Sequence, residues 1–317
     1  MAVSVGMTNL SPLQQRLRLL AGRARKSRQL WVIMLLPLTW LVIFRYLPMY
    51  GAQIAFREFS IVQGITGSQW IGLANFRRFF SSYQFVRVVS NTLGLSLYHL
   101  VAGFPLPIIL AISINEATNR AFRKTVQMVT YAPYFISTVV MVAIILQFLD
   151  PRAGIILRLL RGLGLDPGNV LGSAGLFSTI YVVSDLWQHT GYGSIIYLAA
   201  LSSIDPTLHE AAIVDGANRW QRIANIDLPG IMPTVVILLI LRMGQIMNVG
   251  FEKVFLMQNP LNLRTAEVIS TYVYKVGLLH ADFSFSAAVG LFNSVINMVL
   301  LLLVNRVARQ LGETSLW

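Results

Sequence analysis

The side chains best equipped to do chemistry in this sequence sit inside long apolar stretches. Asp185 and His189 are four residues apart, on neighbouring turns of one helical face, with Trp187, Gln188 and Tyr192 beside them. Arg242, Gln245 and Asn248 recur every three residues and form one polar stripe on a helix; Asn293 and Asn297 repeat the four-residue spacing further on. Ionisable groups at bilayer depth are costly and face protein or a water-filled path. A carboxylate beside an imidazole can relay a proton, but such relays keep company with inverted repeats and broken helices, which this sequence does not display. A metal would find only two ligands in Asp185 and His189, because His99, His209 and His280 fall in other regions of the chain, and no metal is expected. No serine or threonine near His189 is marked out as a nucleophile, so no catalytic residue is assigned. What remains is hydrogen bonding. Singly, each of these residues reads as glue between packed helices; together on facing helices they read as the lining of a pathway.

The elements that must position these groups are membrane spans. Hydrophobic residues make up 55% of the chain and charged residues 12%, with a mean hydropathy of +0.64, outside the balance of soluble domains. A span needs about 20 mainly apolar residues. Six segments qualify, at 30–50, 85–114, 126–149, 175–203, 231–251 and 285–305, which makes this an all-α polytopic membrane protein with six transmembrane helices. The first run is longer than the signal-peptide core of about 7–15 residues and is expected to be retained. An even number of spans puts both ends on one side. Much of the net charge of +12 sits in Arg16, Arg18, Arg23, Arg25, Lys26 and Arg28, next to the first span. The positive-inside rule makes that side cytoplasmic, and anionic headgroups explain the charge better than nucleic acid does. The chain has no cysteine, which excludes disulfides and thiolate chemistry. The outer segments 51–84, 150–174 and 252–284, the last containing Lys253, are too short for a core of their own. Pro37, Pro48, Pro105 and Pro107 mark kinks or unwound turns. The chain divides into a basic tail, 1–29, one membrane domain, 30–306, and a C-terminal tail, 307–317.

One polar island interrupts this pattern, the loop 204–230. Asp205 is a good N-cap and Pro206 suits the first helical position, so a short helix is expected from there through Asp215, with Gly216 supplying the left-handed residue that ends it. A second helical turn from Ala217 would place Trp220 and Ile223 on one side, before Leu228-Pro229-Gly230 breaks the chain. On shape alone, the helix–turn–helix is either an interfacial element with no partner or a docking element.

The loop reads Glu210-Ala211-Ala212, three residues, Gly216, nine residues, then Ile226, Leu228 and Pro229. This E-A-A-x3-G-x9-I-x-L-P pattern resembles the hallmark of the permease subunits of binding-protein-dependent ABC importers. Tyr46-Leu47-Pro48-Met49-Tyr50-Gly51, Trp70-Ile71-Gly72-Leu73-Ala74-Asn75-Phe76 and Asn91-Thr92-Leu93 are similar to the maltose-type sugar branch, in particular its poly- and oligosaccharide subgroup. The resemblance implies the type I importer fold and a subunit in the bacterial inner membrane that moves an oligosaccharide by alternating access. It implies a second, related permease chain, two ATPase subunits and an external solute-binding protein as partners. The loop would be the coupling helix seated in a cleft of the ATPase, with Glu210 as its polar anchor and Ala211 and Ala212 allowing close approach. No G-x4-G-K-[ST] phosphate loop occurs in the chain, so the subunit is expected to hold no cofactor and not to be an enzyme; ATP and Mg belong to the partner ATPase. A sugar pathway needs amides and carboxylates for hydroxyls and aromatic rings for the apolar faces of the sugar, which the candidates Asp185, Trp187, His189, Tyr192, Arg242, Gln245, Asn248, Asn293 and Asn297 supply. Arg45 and Arg242 open the refinement to an acidic oligosaccharide, such as an alginate or pectin fragment, since an arginine can pair with a uronate carboxylate. A proton- or ion-coupled secondary transporter and a non-transporting scaffold are the readings from other classes.

Overall fold

The computed structural model describes residues 28–165 and 167–310. The basic residues Arg16, Arg18, Arg23, Arg25 and Lys26, and the end of the C-terminal tail beyond Gln310, lie outside the described residues.

The chain opens with helix α1, Arg28–Leu41, which runs through a π turn, Val42–Tyr46, into a 3-10 segment, Leu47–Phe56. Its apolar side chains are exposed from Leu30 to Tyr50, and only the 3-10 end packs on the rest of the chain. In a bilayer such a surface meets lipid or another subunit. A two-residue hairpin follows, β1 (Arg57–Glu58) paired antiparallel with β2 (Gln69–Trp70), with Arg57 opposite Trp70. These are the only strands among the described residues. Helix α2, Ala74–Phe80, leads into α3, Tyr83–Gly103, and α4, Pro105–Glu116. Pro105 opens α4 as its first residue, where the missing N–H costs nothing, so the two helices continue as one span of 34 residues.

The third expected span is broken. Helix α5, Arg120–Tyr131, ends in a 3-10 turn at Ala132–Phe135 that contains Pro133. Ser137 then caps α6, Thr138–Phe148, by accepting a hydrogen bond from the Val140 N–H, and the axis bends by 98°. Proline removes a helical donor and serine offers the new cap, so the apolar run 126–149 holds two helices rather than one.

After the short α7, Ile155–Gly162, comes α8, Ala174–Ser202, a helix of 29 residues. Its polar midsection of Asp185, Gln188, His189 and Thr190 leaves it out of the helices apolar enough to qualify as spans; four do, or five if the bent pair counts as one. Where six spans are expected, the described residues hold four or five helices of that character, and the fourth expected segment is a long helix with a polar centre. The loop forms α9, Pro206–Val214, and α10, Arg219–Arg222, which passes through a π turn, Ile223–Asp227, directly into α11, Leu228–Met243. The chain does not break at Leu228-Pro229-Gly230: Pro229 falls in the first turn of α11, and the wider π turn before it leaves room where the ring would meet a preceding carbonyl. Nor does the fifth helix reach residue 251. It stops at Met243, capped by Gly244, and α12, Phe251–Met257, starts after an irregular turn. A Cβ on Gly244 would collide with Leu301, so glycine is what lets the end of α11 meet the last helix. The chain closes with α13, Ile269–Tyr274, and α14, Phe283–Gln310.

Three buried clusters hold the helices together. One joins α3, α6, α8 and α12 through Leu95, Val142, Phe177, Val182 and Val254. A second gathers Phe79, Val88, Met247, Ile269, Phe285 and Val289 at one end of the bundle. The third joins α4, α8 and α11 through Ala111, Tyr197, Leu201 and Ile231.

Candidate functional site

Asp185 lies near the middle of α8 and is the centre of a charged cluster. Its Oδ2 accepts a hydrogen bond from His99 Nε2 of α3 at 2.7 Å, and its Oδ1 accepts one from Lys253 Nζ of α12 at 3.1 Å. His189, one turn along α8, places Nδ1 3.3 Å from the same carboxylate and donates to the Asp185 carbonyl at 3.1 Å. Lys253 is 4% exposed and also lies 5.0 Å from the centre of the Tyr181 ring, so its charge is matched by a carboxylate and an aromatic face.

Two of these residues correct the sequence reading. His99 does not sit in a separate region but against Asp185, brought there by the packing of α3 on α8. Lys253 is not an outer-loop charge: α12 folds back into the bundle and buries it. His99 raises the local count of ligand-capable groups, while Lys253 occupies the other carboxylate oxygen. The signal for Lys253 was available in its apolar setting, Val254-Phe255-Leu256, which is unusual for a solvated lysine.

The cluster borders a cavity of about 520 Å³ enclosed by α3, α4, α8, α11 and the turn after it. Asp185, His99, Arg242, Gln245 and Asn248 all line it. The three latter residues do not share a helical stripe, because Arg242 is in the last turn of α11 and Asn248 lies beyond its end, yet the irregular turn directs all three into one space. Asn293 and Asn297 of α14 hold that turn in place. Both donate through Nδ2 to Asn248 Oδ1, at 2.9 and 3.2 Å, and Asn297 Oδ1 accepts from the Met247 N–H at 3.0 Å. Asn297 is buried and acts as interhelical glue.

Trp187 and Tyr192 do not line this cavity. Trp187 is exposed and lines a separate groove with Leu106, Val129 and Pro133. Tyr192 stacks on Tyr134 with ring centres 3.8 Å apart, and Gln188, buried beside them, donates to the Ile136 carbonyl at 2.8 Å. These contacts seat the broken α5–α6 segment on α8. Gly191 permits the approach, since a Cβ there would collide with the Thr130 carbonyl. Arg45 sits exposed in the π turn after α1 and does not line the cavity.

The 204–230 loop lies at the end of the bundle where α4 and α8 terminate. Asp205 caps α9 by accepting from the Thr207 N–H at 3.0 Å, which holds its carboxyl below the usual carboxylate range. Gly216 has φ of 76°; its N–H donates to the Ile213 carbonyl at 3.0 Å and the Ala217 N–H to the Ala212 carbonyl at 2.8 Å. That pair of bonds is a Schellman motif, which needs a left-handed residue at this position. Asn218 and Gln221 then form a reciprocal capping box at the start of α10. Glu210, Ala211 and Asp215 are exposed, as are Leu208, Ile213, Val214 and Trp220, so the loop presents an apolar surface with an acidic rim. Ile226 and Leu228 are half-buried at its far end, and Pro229 is exposed.

Residues 103–313 match the family of binding-protein-dependent transport system inner membrane components. The chain is 38% identical over 304 residues to the polygalacturonan/rhamnogalacturonan transport system permease protein YteP of Bacillus subtilis (strain 168), covering 96% of this chain and 94% of that protein. Its structure is similar to a chain of a bacterial ABC transporter involved in the import of the acidic polysaccharide alginate, with a TM-score of 0.85, 41% identity, and coverage of 92% of this chain and 98% of that one. A bacterial alginate ABC transporter in complex with an alginate pentasaccharide-bound periplasmic protein matches with a TM-score of 0.86 at 40% identity, covering 93% and 99% of the two chains.

Proposed function

The chain belongs to the binding-protein-dependent transport system inner membrane components, and from that membership we propose that its solute is an acidic oligosaccharide, drawn through the cavity between Asp185 and Arg242. It is a multi-pass permease subunit of an ATP-driven importer, and hydrolysis is carried out by separate ATPase subunits. The ion-coupled and scaffold readings have no support in these similarities.

The observation that carries the solute reading is Arg242. It lines the same cavity as Asp185, and its guanidinium offers a planar donor pair for a carboxylate. Gln245 and Asn248, which line the same cavity, supply neutral donors and acceptors for sugar hydroxyls. The polygalacturonan/rhamnogalacturonan and alginate relatives agree in kind, since polygalacturonan and alginate are both acidic polysaccharides.

The 204–230 loop is the surface on which an ATPase subunit docks. Its pre-formed helices need little ordering on binding, and the exposed Leu208, Ile213 and Val214 offer an apolar contact rimmed by Glu210 and Asp215. With that loop cytoplasmic, both termini face the cytoplasm. The full importer then comprises this chain, a related second permease, two ATPase subunits that bind ATP and Mg, and an external binding protein. The reading is tested by reconstituting that complex in liposomes and measuring ATP hydrolysis with binding protein loaded with uronate or neutral oligosaccharides. Stimulation by the uronate-loaded form is expected; equal stimulation by a neutral oligosaccharide would overturn the acidic assignment.

A further inference from the structure

The coupling loop makes polar side-chain contacts with two different spanning segments. His209 of α9 places Nε2 3.4 Å from Oδ1 of Asp227, a fully buried residue in the π turn that leads into α11. That contact places the first loop helix beside the start of the span that follows the loop in sequence. The second tie reaches elsewhere. Arg219, the first residue of α10, donates from Nε to Oε2 of Glu116 at 2.7 Å and from Nη2 to the Glu116 backbone carbonyl. Glu116 is the last residue of α4, more than a hundred residues earlier in the chain.

This grip is two-pronged. One donor holds the side chain and the other holds a terminal carbonyl of the helix, a group that no residue within the helix can satisfy. The guanidinium therefore fixes the end of α4 in position and orientation, which a lysine in its place could not do. As an exposed ion pair, with the Arg219 side chain 51% exposed, it contributes little to stability. Its consequence is mechanical. Helix α4 forms part of the cavity wall through Pro107, and its widest contact in the bundle is with α8, the helix that carries Asp185.

We propose that Arg219 and Glu116 are positioning residues that form a strut, delivering displacement of the coupling loop to α4 and so to the cavity wall; this rests on the reading of the 204–230 loop as the ATPase-docking element. Through the backbone alone the loop is joined to α8, which precedes it, and α11, which follows it. The strut makes α4, a part of the cavity wall with no backbone link to the loop, follow the same displacement, and its packing on α8 keeps the two helices together.

The test uses the complete importer in liposomes, with solute uptake and ATP hydrolysis measured on the same vesicles and binding protein loaded with an oligouronate. Arg219→Gln and Glu116→Gln are expected to lower uptake per ATP hydrolysed several-fold, while assembly and binding-protein-stimulated hydrolysis stay near wild type. The exchanged pair Glu116→Arg with Arg219→Glu is expected to recover part of the lost ratio. Unchanged uptake per ATP in the single variants would overturn the strut. So would loss of uptake and hydrolysis together, or no recovery in the exchanged pair, because either would assign these residues a purely structural role. Gly216→Pro separates the two levels of the argument: if it leaves uptake intact, the docking reading of the loop fails; if it abolishes uptake while the Arg219 and Glu116 variants do not, only the strut fails.

Discussion

Asp185 stands among three groups that can carry positive charge, and it is the only carboxylate in contact with Lys253 among the described residues. Removing that carboxylate leaves an ammonium buried without a counter-charge, a change that costs about 3–5 kcal/mol. Asp185→Asn is accordingly expected to lower the stability of the purified protein by that order, read as a lower unfolding temperature in detergent. The double variant with Lys253→Met should recover most of the loss, because no charge is then left unpaired. Additive losses in the pair would show that the two residues do not act together. The Asp185–His189 pair was visible in the sequence because i, i+4 spacing is a local property of a helix. His99 and Lys253 were not, since their partner lies 86 and 68 residues away and only the packing of α3 and α12 on α8 brings them together.

At the level of elements, the loop helices depend on their caps. The Thr207 N–H donates to the ionised Asp205 carboxylate and keeps its folded pKa below the unfolded value of about 4. The cap therefore contributes fully above that pH and is lost as the pH falls through the lowered folded pKa. Amide protection of residues 206–214 should be flat across neutral pH and should decline only in strong acid; a decline near neutrality would assign control to another group. At Gly216 nothing lies within 4 Å of an added Cβ, so the strain of Gly216→Ala comes from its φ of 76° alone and should cost about 1–2 kcal/mol. Gly216→Pro should be far worse, because it removes the N–H that bonds Ile213 and forbids that φ. Both changes should leave membrane insertion intact.

The cavity turn yields a second prediction at this level. Cysteines replacing Arg242, Gln245 or Asn248 should react with water-soluble thiol reagents, since all three are exposed on the cavity wall, while a cysteine at the buried Asn297 should be protected. The absence of native cysteine makes the labelling specific. Uniform protection at all four would return Arg242, Gln245 and Asn248 to interhelical glue. The caps Asp205 and Gly216 were legible beforehand because capping is read from adjacent residues. The end of α11 at Met243 was not, because Gly244 and the Asn248–Asn293–Asn297 network that stabilises the turn draw on α14, some fifty residues further on.

For the whole molecule, the decisive quantity is the dependence of transport on solute charge. Arg242→Gln should raise the solute concentration needed for half-maximal uptake of an oligouronate several-fold, with little effect on a neutral oligosaccharide of the same length if the importer accepts one. An equal effect on both would place Arg242 in a structural role. Composition and the apolar runs were enough to establish a polytopic helical membrane protein, because the cost of placing polar backbone and charge in lipid leaves few alternatives. The E-A-A loop was equally plain, since its caps, glycine and spacing are all local. Tertiary structure alone decided how many of the apolar runs are straight spans, which polar residues share a cavity, and which long-range charges meet. Trp187 and Tyr192 show the reason: they sit on the same polar stretch of α8 as Asp185, yet Trp187 lines a separate groove and Tyr192 is stacked on Tyr134 of the broken α5–α6 segment, and neither lines the cavity. Sequence spacing specifies which residues share a helical face, but only the neighbours packed around the helix determine what that face looks onto.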